Sequence, residues 1–466
     1  MKMINWQNKR VIIIGAARQG LALARYLARH GAQVVINDRR TPDQLQAEMK
    51  QLPSSAVEWI TGGHPLSIME PRPDLLCISG GIPLNNPLVE YALQNGIPLS
   101  NDTQLFLDAV PCHTLGITGS AGKTTTTTLV GRIAQAGAGR AARRIWIGGN
   151  IGDPLINYVD EMQPSDLAIL EISSFQAEQM TTSPHIAAIL NITPNHLDRH
   201  GTMAAYTAAK ARLLDFQTPG DTAILGRDDP GAWSLVGKVR GKLFSFGFSP
   251  LPAGQDGAYL QAGQFFLRDG AQVSRLAVEE HVALRGEHNR LNVLAACAIT
   301  HAAGFSVDEM LAGIRGFAGV PHRLELVCTW RGTHWYNDSI ATAPERAMAA
   351  VRAFDGPIIL LLGGRDKNLP WEDLARLAQE RVEHVVIFGE AAEKIHAALA
   401  AQQPQKCSLT RVETCQDAVR AAARLARPGF SILFSPGGTS FDEFKDFEER
   451  GERYKQWVHE FTETLP

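Results

Sequence analysis

Short apolar runs ending in glycine, asparagine, aspartate or serine recur along the chain, and helical spacing tends to follow each. VIIIG (11–15), VVIND (34–38) and LLCISG (75–80) come first. Short apolar runs bounded by turn residues predict buried strands. Between the first two, GLALARYLARHG places Leu23, Tyr26, Leu27 and His30 near helical spacing and stops at Gly31, a natural C-terminal cap. A second unit begins with HTLGIT (113–118) and continues through LAILE (167–171) and IAAILNIT (186–193). Its later part, roughly 221–285, has shorter runs and turn residues (FSFGFSP, GQFFLRDG), which predicts an antiparallel portion. The helical segment HNRLNVLAACAITHAAG leads toward FAGVPHRLELV, and a domain junction is expected there, near 320. WYNDS (335–339), IILLLGG (358–364), HVVIFG (384–389) and SILFSPGG (431–438) are the strands of a third unit. Strand and helix in alternation predict an α/β fold in three domains, 1–102, 103–320 and 321–466. Ligands of open α/β sheets sit at the C-terminal ends of strands, so the strand-ending motifs are where chemistry is expected.

Composition narrows the class. A chain of 466 residues exceeds one ordinary core, and 45% hydrophobic with 20% charged residues is an ordinary globular balance. The net charge of -3, with no long Lys/Arg block, supplies no basic field, so no nucleic-acid partner is expected. Six scattered cysteines without a C-x-x-C pair predict buried reduced thiols. No apolar segment approaches the ~20 residues of a membrane span, and MKMINWQNKRVIIIG lacks a signal-peptide core. A cytoplasmic, monomeric enzyme or binding protein without membrane insertion is the expectation.

The stretch LGITGSAGKTTTTTLVG (115–131) carries the most chemistry. The common phosphate-loop pattern G-x-x-x-x-G-K-[ST] wants a glycine where Ile117 stands. Strand, glycine loop, Lys-Thr and helix nevertheless occur together, so backbone N–H groups are expected to face phosphate oxygens. Lys123 then supplies a point charge and Thr124 a hydroxyl for Mg2+. The five threonines are poor helix formers. Packing or ligand contacts must override that preference.

Other residues gain meaning beside this loop. Glu171 ends LAILE, followed by Ser173, Ser174 and Gln176; His196 lies in NITPNHLDRH and Lys210 in YTAAKARLL. Taken singly, Glu171 reads as a helix-capping acid, His196 as a turn histidine and Lys210 as a surface lysine. Near a phosphate loop, Glu171 and His196 read instead as magnesium ligands or phosphate contacts. The first domain carries G-A-A-R-Q-G after its strand, with Asp38, Arg39 and Arg40 at the next strand end. Ala17 stands where a dinucleotide fingerprint wants glycine, so a nucleotide other than NAD is favoured.

GITGSAGKTTTT, GGNIGDPL, LEISSFQAE, NITPNHLDRH, AAKARLL, RGEHNRLN, PHRLELV, NDSIATAP, GGRDKN and SPGGTSFDEFKDFEERG, in this order, resemble the Mur ligases of peptidoglycan synthesis over nearly the whole chain. The last motif and the uridine-type first domain resemble the glutamate-adding members. The family loop has the form T-G-[ST]-x-G-K-[ST], so the glycine spacing is a family trait. The resemblance implies a Rossmann-like UDP-substrate domain, a central P-loop ATPase-type domain with a parallel sheet and an antiparallel addition, and a Rossmann-like glutamate domain. It implies ATP and Mg2+ as cofactors, and UDP-N-acetylmuramoyl-L-alanine and glutamate as substrates joined through an acyl phosphate.

Residue by residue, the resemblance implies that Thr118, Gly119, Ser120, Ala121, Gly122, Lys123, Thr124 and Thr125 hold ATP phosphates. Asn289, Asn292, Arg323 and Asp338 hold the rest of the nucleotide. Thr124, Glu171, His196 and a carbamylated Lys210 bind magnesium, with Lys123, His196 and Lys210 catalytic. Gly15, Arg18, Asp38, Arg39, Asn150, Ser173 and Gln176 meet the UDP-substrate, and Thr342, Lys367, Ser440 and Phe447 receive glutamate. Three departures are Ala121 for asparagine, Ile340 for lysine, and Ala17 with Arg18 in the first glycine loop. Glutamate chirality stays open, and so do a folylpolyglutamate-type amide ligase and, from another class, a nucleotide-regulated dehydrogenase or binding module.

Overall fold

The computed structural model describes residues 5–52, 57–141, 143–278, 287–367 and 369–464. Arg285 and Gly286 of RGEHNRLN, Asn368 of GGRDKN and the end of the 221–285 portion lie outside these residues. The chain divides into two compact units, Met1–Phe317 and Ala318–Pro466.

The first unit contains two sheets. The first has β1 (Arg10–Ile14), β2 (Gln33–Asp38), β3 (Val57–Thr61), β4 (Leu75–Ile78) and β5 (Leu99–Ser100) in the order β3-β2-β1-β4-β5. All pairs are parallel. The helix Arg18–Arg29 covers it with Leu23, Tyr26 and Leu27 buried, as the spacing predicts, and His30 follows as the C-terminal cap.

The second sheet has β6 (His113–Thr118), β7 (Ile145–Gly149), β8 (Leu167–Glu171), β9 (Ile186–Ile189), β10 (Thr222–Gly226), β11 (Lys242–Gly247), β12 (Asp256–Gln261), β13 (Gln264–Asp269) and β14 (Gln272–Val278). Its order is β14-β13-β12-β11-β10-β9-β6-β8-β7. HTLGIT and LAILE match β6 and β8 residue for residue. Two expectations need correction. The antiparallel portion starts at β12, because β10, β11 and β12 pair in parallel and only β12-β13-β14 reverse. The strand in IAAILNIT stops at Ile189, because the following backbone turns to bind the glycine loop: Ser120 N donates to Asn191 O at 2.9 Å.

The second unit has β15 (Glu325–Trp330), β16 (Thr333–Asn337), β17 (Ile358–Gly363), β18 (His384–Phe388), β19 (Ser408–Arg411) and β20 (Ser431–Gly437), ordered β15-β16-β20-β17-β18-β19. The β15-β16 pair is antiparallel and the others parallel. WYNDS therefore ends as a strand at Asn337, leaving Asp338 and Ser339 to the loop at the sheet's C-terminal edge. All six cysteines are free thiols, and all but Cys328 are buried. Among the described residues no helix is long and apolar enough to cross a membrane.

Candidate functional site

The threonine run forms the start of the helix Lys123–Ala141, with Thr125, Thr126 and Thr127 buried. Packing thus overrides their weak helix preference. At the start of this helix Thr126 N donates to Gly122 O at 2.9 Å. The first turn of a helix is where backbone N–H groups face an anion.

Asn191 shapes the loop before the helix. Its side chain accepts from Ala121 N at 2.8 Å and donates to Ala121 O at 3.1 Å. Ser120 Oγ donates to Thr193 O at 2.9 Å and lies 3.0 Å from Tyr206 OH. Position 121 thus serves the loop through its backbone, and its methyl group is exposed. Gly122 has φ +82°, and a Cβ there would lie 2.3 Å from Asn292 Oδ1. Asn292 is itself held, accepting from Thr126 Oγ1 at 3.3 Å and donating to Asn289 Oδ1 at 3.1 Å. The structure therefore gathers Gly122, Asn289 and Asn292.

Two lysines meet the same loop. Lys123 Nζ donates to Gly119 O at 2.7 Å, and Lys210 Nζ donates to Gly119 O at 3.0 Å and to Thr118 Oγ1 at 3.2 Å. Lys210 is 1% exposed, far from a surface lysine, and its amine lies 4.7 Å from the Tyr206 ring centroid. Burial, then the Lys123 charge, pull its pKa well below the ordinary lysine value, with Glu171 opposing. A buried amine biased toward its neutral form is a nucleophile.

Glu171 closes β8 beside β6 and β7. Its Oε1 accepts from Asn150 Nδ2 at 2.8 Å, whereas its buried Oε2 has no hydrogen-bond partner among the described residues. An unmatched carboxylate oxygen suits a hard cation. No three His, Cys, Asp or Glu side chains cluster as a metal site among the described residues, so a bound cation would need other oxygen ligands as well.

His196 caps the short helix Leu197–His200 with left-handed backbone, φ 52° and ψ 33°. Such a conformation costs on the order of 1–3 kcal/mol and must be held by its surroundings. The His196 ring is tilted against Phe175, 5.1 Å between centroids. Ser173 and Gln176 form a capping box, and Gln176 Nε2 donates to Asp102 at 3.4 Å. Burial pushes the Asp102 carboxyl up to about 6.

On the first sheet, Gly15 has φ +97°, where a Cβ would lie 3.1 Å from Ser79 Oγ. Asp38 Oδ2 accepts from Ala16 N at 2.8 Å, and its Oδ1 from Arg40 N at 2.9 Å. Despite burial, Arg40 and these N–H groups hold its pKa below the usual value. Asp38 thereby fixes the loop, while Arg39 beside it is exposed. Arg18 Nη2 donates to Asn150 O at 3.4 Å.

In the second unit, Lys367 Nζ donates to Thr342 Oγ1 at 3.4 Å. Burial, then Arg346 and Arg450, lower the lysine's pKa. Ser440 is buried, next to Thr439, whose N–H donates to Arg365 O at 2.9 Å. Phe447 O accepts from Ser339 Oγ at 2.8 Å. Asp338 accepts from Ser435 Oγ at 2.7 Å and Leu324 N at 3.1 Å, and burial pushes it up to about 6. Arg323 precedes Leu324 and its charge acts on Asp338. Ile340 puts an apolar side chain in this loop; its carbonyl accepts from Arg346 Nη1 at 3.3 Å.

Four residues in contact with these candidate positions escape a reading of the sequence. Asn191 and Tyr206 have no distinguishing local signal. Arg199 lies inside NITPNHLDRH, where proximity to His196 was the only cue. Arg450 lies in SPGGTSFDEFKDFEERG, is 0% exposed and donates to Ser339 Oγ, Ser339 O and Gly438 O.

The family model of the Mur ligase middle domain matches residues 117–300, that of the Mur ligase glutamate ligase domain 322–438, and that of the Mur ligase MurD-like N-terminal domain 9–101. Two relatives are named UDP-N-acetylmuramoylalanine--D-glutamate ligase. The one from Pelotomaculum thermopropionicum is 37% identical over 97% of this chain and 98% of its own. The one from Acidobacterium capsulatum is 39% identical over 97% and 96%. Among solved structures, the MurF ligase of Thermotoga maritima in complex with ADP shares the fold, with TM-score 0.51 and 16% identity over 99% of this chain and 96% of that one.

Proposed function

The chain belongs to the Mur ligase family, and from that premise we propose that it joins D-glutamate to UDP-N-acetylmuramoyl-L-alanine at the expense of ATP, in cytoplasmic peptidoglycan precursor synthesis. The observation that carries this reading is the meeting of Lys123 and the buried Lys210 at the Gly119 carbonyl. A phosphate loop needs only the first lysine; a second, desolvated amine beside it calls for a further role.

The loop from Thr118 to Thr125 and its helix N-terminus bind the ATP phosphates, with Lys123 moving from the Gly119 carbonyl to the β- and γ-phosphates. Asn289 and Asn292 in the first unit, and Arg323 and Asp338 in the second, are further proposed nucleotide contacts. The alanyl carboxylate attacks the γ-phosphorus, the bond to the β-phosphate oxygen breaks, and ADP departs. The resulting acyl phosphate has a leaving group that the carboxylate lacked. Glutamate's amine, neutral when it reacts, adds to the acyl carbon; the tetrahedral adduct expels phosphate and loses a proton, leaving an amide. Fixed charges aimed at the moving phosphoryl group account for the acceleration.

Lys210 in its neutral form adds through its nitrogen to carbon dioxide and gives up one N–H proton to water, leaving a carbamate, an anion that offers oxygen ligands where the amine offered none. Magnesium, held by that carbamate, Glu171, His196 and Thr124, would neutralise phosphate charge. The unpartnered Glu171 Oε2 supports this ligand set. Gly15, Arg18, Asp38, Arg39, Asn150, Ser173 and Gln176 are proposed to bind the UDP-substrate. Asp38 and Gln176 would do so mainly by holding the loops, since their polar atoms already have partners. Thr342, Lys367, Ser440 and Phe447 are proposed for glutamate, whose two carboxylates call for a cation, a hydroxyl and loop N–H groups.

Phosphate release from ATP tests the reading. It is expected with UDP-N-acetylmuramoyl-L-alanine and D-glutamate together. Release with neither enantiomer would overturn the assignment, and release with L-glutamate alone would overturn its stereochemistry.

A further inference from the structure

We infer that Arg199 is a positioning residue for this reaction, a two-pronged clamp that holds the first-sheet loop Gly80–Ile82 at a fixed separation from His196. Its Nη1 donates to Gly80 O at 2.5 Å and its Nη2 to Ile82 O at 2.6 Å. The guanidinium carbon lies 4.0 Å from the Phe175 ring centroid. Arg199 belongs to the same short helix that His196 caps, and its N–H donates to His196 O at 3.1 Å. A planar fork across two carbonyls, with its face on an aromatic ring, fixes orientation as well as distance.

Both ends of the clamp reach proposed substrate contacts. The loop at Gly80–Ile82 follows β4 and lies against the first glycine loop: Ile82 Cδ1 is 3.6 Å from the place of a Cβ on Gly15. At the other end, Phe175 lies between two histidines, tilted against His196 and stacked on His200 at 5.3 Å and 12°. His200 is locked in turn, with Nε2 2.9 Å from Ser174 Oγ and Nδ1 2.9 Å from Glu178 Oε1. Beyond it come Tyr206, 5.1 Å from the His200 ring, and then Ser120 of the phosphate loop. A packed path therefore joins the nucleotide end of the first sheet to His196 and to the phosphate loop, all within one compact unit.

The consequence for the reaction rests on the function proposed above. A UDP-substrate is long, with its diphosphate at one loop and its reacting carboxylate at another. Arg199 sets the distance between the two, so that binding at the first sheet delivers the carboxylate to the phosphate loop. Losing such a device lowers kcat more than it weakens binding at either end.

The test compares Arg199→Ala and Arg199→Lys with the wild type by amide hydrogen exchange and by steady-state kinetics. In Arg199→Ala, exchange should rise together at 80–82 and 196–200. Its kcat should fall about a hundredfold, the order of loss for a misplacement of ~1 Å, while KM for ATP stays within about twofold. Arg199→Lys keeps the charge but reaches one carbonyl at most, and should show the same pattern in smaller degree, which keeps the test usable if the alanine variant does not fold. Faster exchange at one segment alone, unchanged kcat, or an equal loss of ATP binding would each overturn the clamp. A wild type that releases no phosphate would instead defeat the proposed function, and the exchange measurement would still judge the clamp.

Discussion

Gly122→Ala offers a sharp perturbation of the phosphate loop. The backbone at Gly122 has φ +82°, a conformation that costs an L-residue roughly 1–2 kcal/mol. The new methyl group would also lie 2.3 Å from Asn292 Oδ1, well inside contact distance. Asn292 is buried and cannot swing away without losing its bonds with Thr126 and Asn289, each worth about 0.5–1.5 kcal/mol. The two terms together give about 2–5 kcal/mol, a large part of ordinary stability. Chemical denaturation followed by fluorescence would read the loss, and calorimetric titration with ADP should show affinity falling about tenfold or more, or ~1.4 kcal/mol. Because the strain passes through one side chain, Gly122→Ala combined with Asn292→Ala should be more stable than the sum of the single effects by about 1 kcal/mol or more. A single variant within about 0.5 kcal/mol of the wild type, or a strictly additive pair, would refute the reasoning.

Three further outcomes are expected. Lys123→Ala should abolish turnover while the circular dichroism spectrum is retained; near-normal turnover would remove the phosphate-loop role. Lys210→Met removes a buried amine whose folded pKa lies well below its unfolded value, a destabilising arrangement at any pH where the unfolded amine is charged. The melting temperature at neutral pH should stay level or rise while turnover is lost, and a retained rate would contradict the carbamate role. For Asp338, raised to about 6 from 3.8 by burial, the native state keeps a proton that the unfolded chain has already released, so stability falls as pH rises through that window. Asp338→Asn can keep both hydrogen bonds and should be more stable at neutral pH by about 1–3 kcal/mol in denaturant titrations, with the acid-side slope flattened; a less stable variant would contradict this.

The strands were legible where apolar runs had clear ends. HTLGIT and LAILE match because both faces of a parallel strand inside the sheet are buried, from Thr114 to Thr118 and from Leu167 to Glu171, so the run of buried residues spans nearly the whole strand. IAAILNIT continues in apolar and polar alternation past the last paired residue, and only the hydrogen bonds of Asn191 and Thr193 to the glycine loop end it at Ile189. The parallel pairing of β10, β11 and β12 was hidden because short runs between turns look alike in either direction.

The site was legible as a set of motifs, not as a network. The glycine at 122 and the lysine at 123 announce a phosphate loop. The Asn191 side chain that clamps Ala121, the burial of Lys210, and the column Phe175-His200-Tyr206 depend on segments far apart in sequence. The misplaced glycine at Ile117 has a physical reason as well. Ile117 is a fully buried residue of β6, paired with Glu171 and Ala188, so the turn that a generic loop would begin there begins instead at Gly119.

The central claim is that this loop transfers a phosphoryl group to the substrate's own carboxylate. Turnover of UDP-N-acetylmuramoyl-L-alanine carrying a heavy oxygen isotope in the alanyl carboxylate, with ATP and D-glutamate, tests it by mass spectrometry of the phosphate released. One carboxylate oxygen should leave with each phosphate, the mark of an acyl phosphate. Phosphate free of the heavy isotope, formed alongside the amide, would contradict the account.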